Sequence, residues 1–349
     1  MTDRDGAWLG ALLRKMQGKR IAVIGDLMLD EWLWGSVRRI SPEAPVPVVE
    51  VRDHSYTLGG AGNVANNLAA LGAQVSIVGS VGTDDPGARV IALCRRLGAA
   101  TDGITRIRAR PTTHKTRIVA HNQQVVRADR ESTAPIEGRS RAALMRSIAR
   151  LDGRVDGVII SDYGKGLVDG PLVQSIRAFR HRVVITGDPK PQNIAAFGGV
   201  DCIAPNVAEA EQATGIAAKT DAGVALAAQE LLRSTGCRYV LVTRGEHGMT
   251  LYSHAEPPFT APSVARQVYD VSGAGDTVIS TLTLALSVGA PIERAVALAT
   301  VAAGVVVQKL GTATASAQEI QRFARTVHLE LKPAPRATVR RKIKARARR

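Results

Sequence analysis

Between residues 140 and 243 short apolar runs alternate with helix-patterned segments, and this rhythm restricts the possible folds more than any other feature of the chain. A helical pattern at 141–151 precedes an apolar run at 157–161, and one at 171–179 precedes 182–186. The run at 201–204 is followed by a helical pattern at 208–214, and 222–234 leads into 239–243. Strands that follow one another through helices pair in parallel, with the helices covering the faces of the sheet. The same unit occurs earlier, with a helix at 8–16 before the run RIAVIG at 20–25, and a strand at 74–79 before a helix at 88–97. The expected fold class is α/β, a mostly parallel central sheet with helices on both faces.

Two stretches break the rhythm. Residues 41–51 hold three prolines and then alternate, which confines them to a sheet edge or a flap. Residues 104–129 are rich in β-branched residues, Arg and Thr, with a turn near 121–123, and read as antiparallel hairpins outside the main sheet. A small β-strand lid is therefore expected within about 36–58 and 104–130. Aromatic residues are 3 % of the chain against 45 % apolar, so the core must be built from Ala, Val, Leu and Ile. Three dispersed cysteines, Cys94, Cys202 and Cys237, fit neither a disulfide frame nor a zinc site and suit a reducing compartment. The longest apolar region, 278–310, is broken by Gly289-Ala290-Pro291 and Glu293-Arg294 and reads as two buried helices. With no signal-peptide pattern at the N-terminus, a cytoplasmic location is expected. Net charge is +15, and nine Lys and Arg with no acid fall in residues 332–349. That segment is expected to be a disordered basic tail outside a domain spanning 1–331, able to touch polyanions such as nucleic acid.

The chemistry concentrates where 267–286 opens polar and glycine-rich at Ser272-Gly273-Ala274-Gly275 and runs on as a helix. Small residues let a backbone come close to a ligand, and the free amides at a helix start attract anions. Asp276 sits just inside that mouth. A carboxylate there repels phosphate, but it is well placed to take a proton from a hydroxyl attacking one. The competing reading is an ordinary first-turn acid that favours the helix dipole. A second small-residue stretch, Leu58-Gly59-Gly60-Ala61-Gly62-Asn63, also precedes a helix. No G-x-G-x-x-G follows the strand at 20–25, so the dinucleotide fingerprint is absent. Polar loops follow the strands at Gly25-Asp26, at 161–166, at Asp188-Pro189-Lys190, at 205–209 and at 243–248. Each alone reads as turn chemistry, but in a parallel sheet such loops converge on one edge.

The two signatures Gly59-Gly60-Ala61-Gly62-Asn63 and Asp270-Val271-Ser272-Gly273-Ala274-Gly275-Asp276-Thr277, with Pro205-Asn206 and Glu209 between them, resemble the ribokinase-like (PfkB) family of sugar kinases over about residues 18–328. Within it, GDLMLDEWLWG, RISPEAPVPVVEV, HNQQVVRAD, SDYGKG and VTRGEHGM are similar to the D-glycero-β-D-manno-heptose-7-phosphate kinases of ADP-heptose and lipopolysaccharide-core synthesis. The resemblance implies ATP as phosphoryl donor and Asp276 as base on the anomeric hydroxyl, with the amides of Gly273, Ala274 and Gly275 on the transferred phosphate. It implies Mg²⁺ positioned by Asn206 and Glu209, and Thr243, Gly245 and Gly248 along the nucleotide with Lys190 on its phosphates. Thr300 falls near the adenine, where relatives often have Asn. Asp26, Asp30, Gly59, Gly60 and Asn63 would meet the sugar, Asp162 and Lys165 would close its site, and Lys115, Arg117 and Arg127 would take the 7-phosphate. Asp270 and the 311–315 loop resemble a monovalent-cation site. The implied partners are a second copy through the lid and, since the sequence shows no H-x-G-H nucleotidyl-transfer motif, a separate adenylyltransferase. The alternatives are a kinase for another sugar, a nucleic-acid-binding protein acting through the basic tail, and a sugar sensor on a kinase scaffold.

Overall fold

The computed structural model describes residues 7–121, 123–265 and 267–334. Helix α1 (Ala7–Met16) leads to β1 (Arg20–Gly25), and the long strands β2 (Leu27–Ile40) and β3 (Pro47–Gly60) follow. Then come α2 (Ala61–Ala70), β4 (Gln74–Gly82), α3 (Asp85–Arg96), β5 (Ala100–Ile107), β6 (Thr113–Ala120) and β7 (Gln123–Arg130). The alternating half holds α4 (Gly138–Ala149), β8 (Gly157–Ser161), α5 (Gly170–Arg177), β9 (Val184–Asp188), β10 (Cys202–Ile203), α6 (Val207–Thr214), α7 (Asp221–Thr235) and β11 (Tyr239–Thr243). The chain closes with β12 (Met249–Ser253), β13 (Phe259–Ala261), α8 (Ala274–Ser287), α9 (Ile292–Val306), α10 (Ala317–Ala324) and β14 (Lys332–Pro333).

Ten strands form one sheet in the order β14-β13-β12-β11-β10-β9-β8-β1-β4-β5, and four form another in the order β3-β2-β6-β7. From β5 to β11 the large sheet is parallel, as the βα rhythm predicts, and β12, β13 and β14 extend it antiparallel. Successive side chains on a strand face opposite ways, so β1 feeds two cores. Ile21 and Val23 join Leu9, Leu68, Ile279 and Leu298 on one face, while Ala22 and Ile24 join Leu144, Leu172 and Leu231 on the other. Each fully buried Leu or Ile contributes about 1.5–3 kcal/mol, which lets a core poor in aromatic rings hold a chain of this length.

Three expectations need correction. The small sheet begins at Leu27, not near residue 36, because β2 leaves β1 across the single residue Asp26 and runs for 14 residues. The segment from 104 is not all lid: β5 pairs in parallel with β4 at the edge of the large sheet, so the outer hairpin is β6–β7 alone. Mixed polar and apolar residues mark both edge and lid strands, and pairing partners are invisible in a single strand's pattern. The boundary after residue 331 also shifts, because Lys332 and Pro333 pair with Thr260 and Phe259 and the Ala334 amide donates to the Pro258 carbonyl. The rest of the basic tail, 335–349, lies outside the described residues, and its expected disorder and polyanion contacts with it. Among the described residues no helix is long and apolar enough to cross a membrane.

The chain goes from β1 to β4 on one side and later returns to place β8 on the other side of β1. The carboxyl ends of β1 and β8 therefore flank the switch point where open α/β sheets bind ligands. The small sheet springs from this place, since Ala61 at its far end donates its amide to the Asp26 carbonyl.

Candidate active site

Asp276 lies in the first turn of α8, 5 % exposed, where helix α2 packs against it. Its Oδ2 accepts from Asn63 Nδ2 at 2.7 Å, and its Oδ1 accepts from the Tyr163 hydroxyl at 2.9 Å. One donor on each oxygen fixes the plane of the carboxylate and leaves each a lone pair. The α2–α8 contact is pinned by polar bonds rather than large side chains. Thr277 Oγ1 donates to Asn67 Oδ1 at 2.7 Å, and Ser280 donates to the Val64 carbonyl at 3.2 Å. Asn67 in turn donates to the Asn63 carbonyl at 2.9 Å, holding the turn that aims Asn63. Asn63 Oδ1 is buried with no partner among the described residues, an acceptor in want of a donor.

Burial raises the Asp276 carboxyl to about 6, against the two hydrogen bonds and the Lys190 charge that favour ionisation. A base in this range is ionised at neutral pH yet basic enough to accept a proton. Asp26 is likewise raised to about 6 by burial, opposed by amide bonds from Lys165 and Tyr163. Activity that needs the Asp276 carboxylate must fall as the pH drops through about 6, because protonation removes the acceptor. A steady-state pH profile checks this, and the expected acid limb is steeper than one proton because Asp26 protonates in the same window.

Gly273 caps α8 at φ 78°. The Ala274 amide donates back to the Val271 carbonyl at 3.1 Å, so it is not free for an anion as expected. The amides of Gly275 and Asp276 have no acceptor among the described residues and remain open at the helix mouth. A Cβ on Gly275 would meet nothing within 4 Å, so this turn of α8 faces open space.

Asp26 and Asp162 turn out to shape the loops. Asp26 Oδ2 accepts from the amides of Tyr163 and Lys165 at 2.9 and 3.0 Å. Asp162 accepts from the amides of Gly164 and Lys190 and from Asn193 Nδ2. Those carboxylates fix Tyr163 under Asp276 and Lys190 beside it. Tyr163, Asp188, Asn67 and Asn193 carry parts of this construction that the sequence reading did not single out. The signal for Tyr163 and Asp188 was their place in strand-end loops, though nothing in residue order showed which side chain pointed inward.

Tyr163, Asp188, Lys190, Ala204, Asn206, Glu209, Thr243, Gly273, Gly275 and Asp276 line one cleft. Lys190 Nζ donates to Glu209 Oε1 at 2.6 Å. Asn206 and Glu209 form the capping box of α6, each bonding the other's amide. The carboxyl of Asp188 is pushed well above its ordinary value by burial and by the Glu209 and Asp276 carboxylates, and no hydrogen bond reaches it among the described residues. Gly245 and Gly248, at φ 57° and 82°, shape the turn after Thr243. A Cβ on Gly248 would stand 2.0 Å from the Ala261 carbonyl oxygen, so that glycine is dictated by packing. Thr300 is 3 % exposed and spends its hydroxyl on the Val296 carbonyl of its own helix at 2.9 Å, so it does not line the cleft. Asp270 accepts from the amides of Ser272 and Gly311 and so ties the α8 turn to the 311 loop.

Lys115, Arg117 and Arg127, the cations of the small sheet expected to take a phosphate, are each paired with an acid. Asp30, 5 % exposed, pairs with Arg117 at 2.6 Å, and its Oδ2 lies where a Cβ on Gly59 would come within 2.6 Å. Gly60 at φ 57° lets β3 turn into α2. Lys115, the ladder partner of Asp30, pairs with Asp129 at 2.8 Å and with Glu131 at 3.4 Å. Arg127 pairs with Asp129 at 2.9 Å and Lys165 with Glu131 at 2.8 Å. Charge spacing along a strand shows the cations but not the acids that fold against them.

A buried carboxylate aimed by two donors, open helix amides beside it and a lysine across the cleft form an arrangement chemically able to take a hydroxyl proton and hold an anion. Residues 19–319 match the pfkB family of carbohydrate kinases, and the chain belongs to that family, whose members transfer phosphate to a sugar hydroxyl. It is 46 % identical over 304 residues to the bifunctional protein HldE of Desulfatibacillum aliphaticivorans, covering 86 % of this chain and 62 % of that one. It is 43 % identical over 317 residues to the HldE of Helicobacter pylori, covering 90 % and 68 %. The chain thus spans less than two thirds of the length of the first of these relatives. The fold is similar to Arabidopsis thaliana ribokinase, solved with ribose and ATP, at TM-score 0.70 and 18 % identity over 88 % of this chain and 99 % of that one. It is also similar to Escherichia coli phosphofructokinase-2, solved with potassium, at TM-score 0.72 and 18 % identity over 88 % and 99 %. The fold is ribokinase-like.

Proposed function

We propose that the chain transfers the terminal phosphoryl group of ATP to the anomeric hydroxyl of D-glycero-β-D-manno-heptose 7-phosphate, giving the 1,7-bisphosphate for ADP-heptose and lipopolysaccharide-core synthesis. The observation that carries the reading is the aimed Asp276 carboxylate beside the open amides of Gly275 and Asp276. Asp276 takes the hydroxyl proton as the sugar oxygen attacks the γ-phosphorus. The bond from that phosphorus to the bridging oxygen breaks and ADP leaves with the electron pair. The amides and Lys190 offset the charge that spreads over the phosphoryl oxygens. The choice of sugar rests on the sequence stretches similar to heptose-7-phosphate kinases and on the HldE relatives, which combine heptose kinase and adenylyltransferase.

The cleft fits Mg²⁺ held through water and phosphate. Asp188, Glu209 and Asp276 crowd it with carboxylates, and at Asp188 only the Lys190 charge, with no hydrogen bond among the described residues, opposes the repulsion. No group of three potential ligand side chains is close enough to hold a metal alone among the described residues. Asn206, Glu209 and Asp188 would orient its waters, and the ion would neutralise phosphate charge. Glu209→Gln is expected to raise the Mg²⁺ needed for half-maximal rate by about tenfold. The cap and melting temperature should survive, because Gln serves at that capping position too. An unchanged Mg²⁺ titration would count against the metal role. The Asp270–Gly311 tie is the place for a monovalent cation, and activity with and without K⁺ tests it.

The exposed apolar residues Trp34, Ile40, Val51, Val125 and Val126 on the small sheet support a homodimer through that sheet. The HldE relatives unite two activities, and a partner enzyme would supply adenylylation wherever the kinase acts alone. The reading is tested by ATP-dependent phosphorylation of heptose 7-phosphate, heptose, ribose, fructose and fructose 6-phosphate. The specificity constant is expected to favour heptose 7-phosphate by about a hundredfold or more, since an unphosphorylated sugar offers the lid cations no anion with which to form charge-assisted hydrogen bonds. Comparable constants for ribose or fructose would support a kinase for another sugar.

A further inference from the structure

Glu131 stands just beyond β7, between two lysines that come from different parts of the fold. Lys115 rises from the small sheet, while Lys165 belongs to the loop after β8 in the large sheet. One carboxylate oxygen is 2.8 Å from Lys165 Nζ and the other is 3.4 Å from Lys115 Nζ. Both lysines are largely shielded, at 15 % and 16 % side-chain exposure. In the proposed reading they stand on the sugar side of Asp276. Lys115 is the ladder partner of Asp30, whose charge is felt at Asp276, and the Lys165 amide is bound by Asp26. The loop under Lys165 is held firmly. Arg110 donates to the carbonyls of Ser132, Ala134 and Lys165. A Cβ on Gly166 would stand 2.1 Å from the Ala134 carbonyl oxygen, so the 132–134 and 164–166 segments lie against each other.

We infer that Glu131 is an internal stand-in for the substrate's phosphate: its carboxylate bridges Lys115 and Lys165 when the sugar site is empty, and the incoming phosphate displaces it. This rests on the proposed phosphosugar reading and names the residue that sets its phosphate affinity. Lys115 has Asp129 beside it, but Glu131 is the one acid paired with Lys165 among the described residues, and a partly shielded ammonium group needs a counter-charge. A monoanionic carboxylate on a short tether satisfies that need. A dianionic phosphate with three acceptor oxygens satisfies it better, and the exchange leaves Asp129 with Lys115 and Arg127. The same exchange discriminates between sugars. A neutral sugar has nothing to offer the lysines and leaves the carboxylate bridge in place.

The expected result of Glu131→Gln is tighter phosphate binding, because the competitor for the two lysines is gone while the side-chain shape is kept. The KM for heptose 7-phosphate and the inhibition constant of inorganic phosphate should each fall by about fivefold, with kcat for the phosphosugar little changed. The KM for unphosphorylated heptose should not fall in parallel. Direct titration of inorganic phosphate into the wild-type protein and the variant reads the exchange without turnover. If wild-type protein does not phosphorylate heptose 7-phosphate while Glu131→Gln still tightens phosphate, the sugar assignment fails and the stand-in role survives. Weaker or equal phosphate binding in Glu131→Gln at unchanged melting temperature would overturn the inference, because Glu131 would then be a brace that holds the lysines in place. Lys165→Met supplies the second arm. It should abolish the gain when combined with Glu131→Gln, and a gain that persists in the double variant overturns the inference too.

Discussion

Replacing Asp276 by Asn is expected to lower kcat by about two to four decades while ATP affinity stays nearly unchanged. The amide keeps the size and plane of the carboxylate but cannot accept the hydroxyl proton. Its NH₂ would also face one of the two donors, Asn63 Nδ2 or the Tyr163 hydroxyl, that now hold the carboxylate. Loss should therefore appear in kcat and only weakly in nucleotide binding, as single-turnover kinetics with a bound-nucleotide titration would read. The acid limb expected near pH 6 should become shallower in whatever activity remains, since one of the two groups that titrate there is gone and only Asp26 is left. Turnover near that of the wild type would reduce Asp276 to a helix-start acid and leave the proposed reaction without its base.

The second large effect is expected from a single methyl group. Gly273→Ala should cut kcat by about a hundredfold, the scale on which misplacing a reacting group by an ångström is felt. Gly273 holds φ 78°, a conformation that costs a residue with a Cβ roughly 1–2 kcal/mol. The new Cβ would also lie 2.7 Å from Asn63 Nδ2, the atom that binds Asp276. Asn63 is 1 % exposed and tied through Asn67 to α8, so it cannot simply swing away. The substitution thus strains the turn and pushes on the donor that aims the base. Thermal unfolding is expected to shift by only a few degrees, because one strained residue is small against the whole core. Gly275→Ala is the control. Its Cβ would meet nothing within 4 Å, so a comparable loss there would mean that substrate, not Asn63, fills the space above the turn.

Much of this architecture is legible in residue order because it depends on local physics. A strand buried on both faces reads as a continuous apolar run, and RIAVIG marks β1 to the residue. The runs at 157–161 and 239–243 coincide with β8 and β11 for the same reason. The helix start at Asp276 and the glycine turn before it depend on neighbours in sequence, so they too can be read directly. The strands of the small sheet resist such reading. Their mixed faces match an edge strand as well as a lid, and only pairing across long separations places β5 in one sheet and β6 in the other.

What the sequence by itself determined is the α/β class, the strand ends that carry polar loops, and the acid at the mouth of α8, because each follows from periodicity and from residues a few positions apart. What only the tertiary structure decided is which of those polar groups bind one another. It set Asn63 and Tyr163 on the two oxygens of Asp276 and turned Asp26 and Asp162 into the supports of the 163–166 loop. It also paired Lys115, Arg117 and Arg127 with acids and enclosed Thr300 in its own helix. The physical reason is range. Backbone preference and burial pattern act along the chain, whereas the partner of a charge or a hydrogen-bond donor is whatever the fold brings within about 3 Å, here from residues more than a hundred positions away.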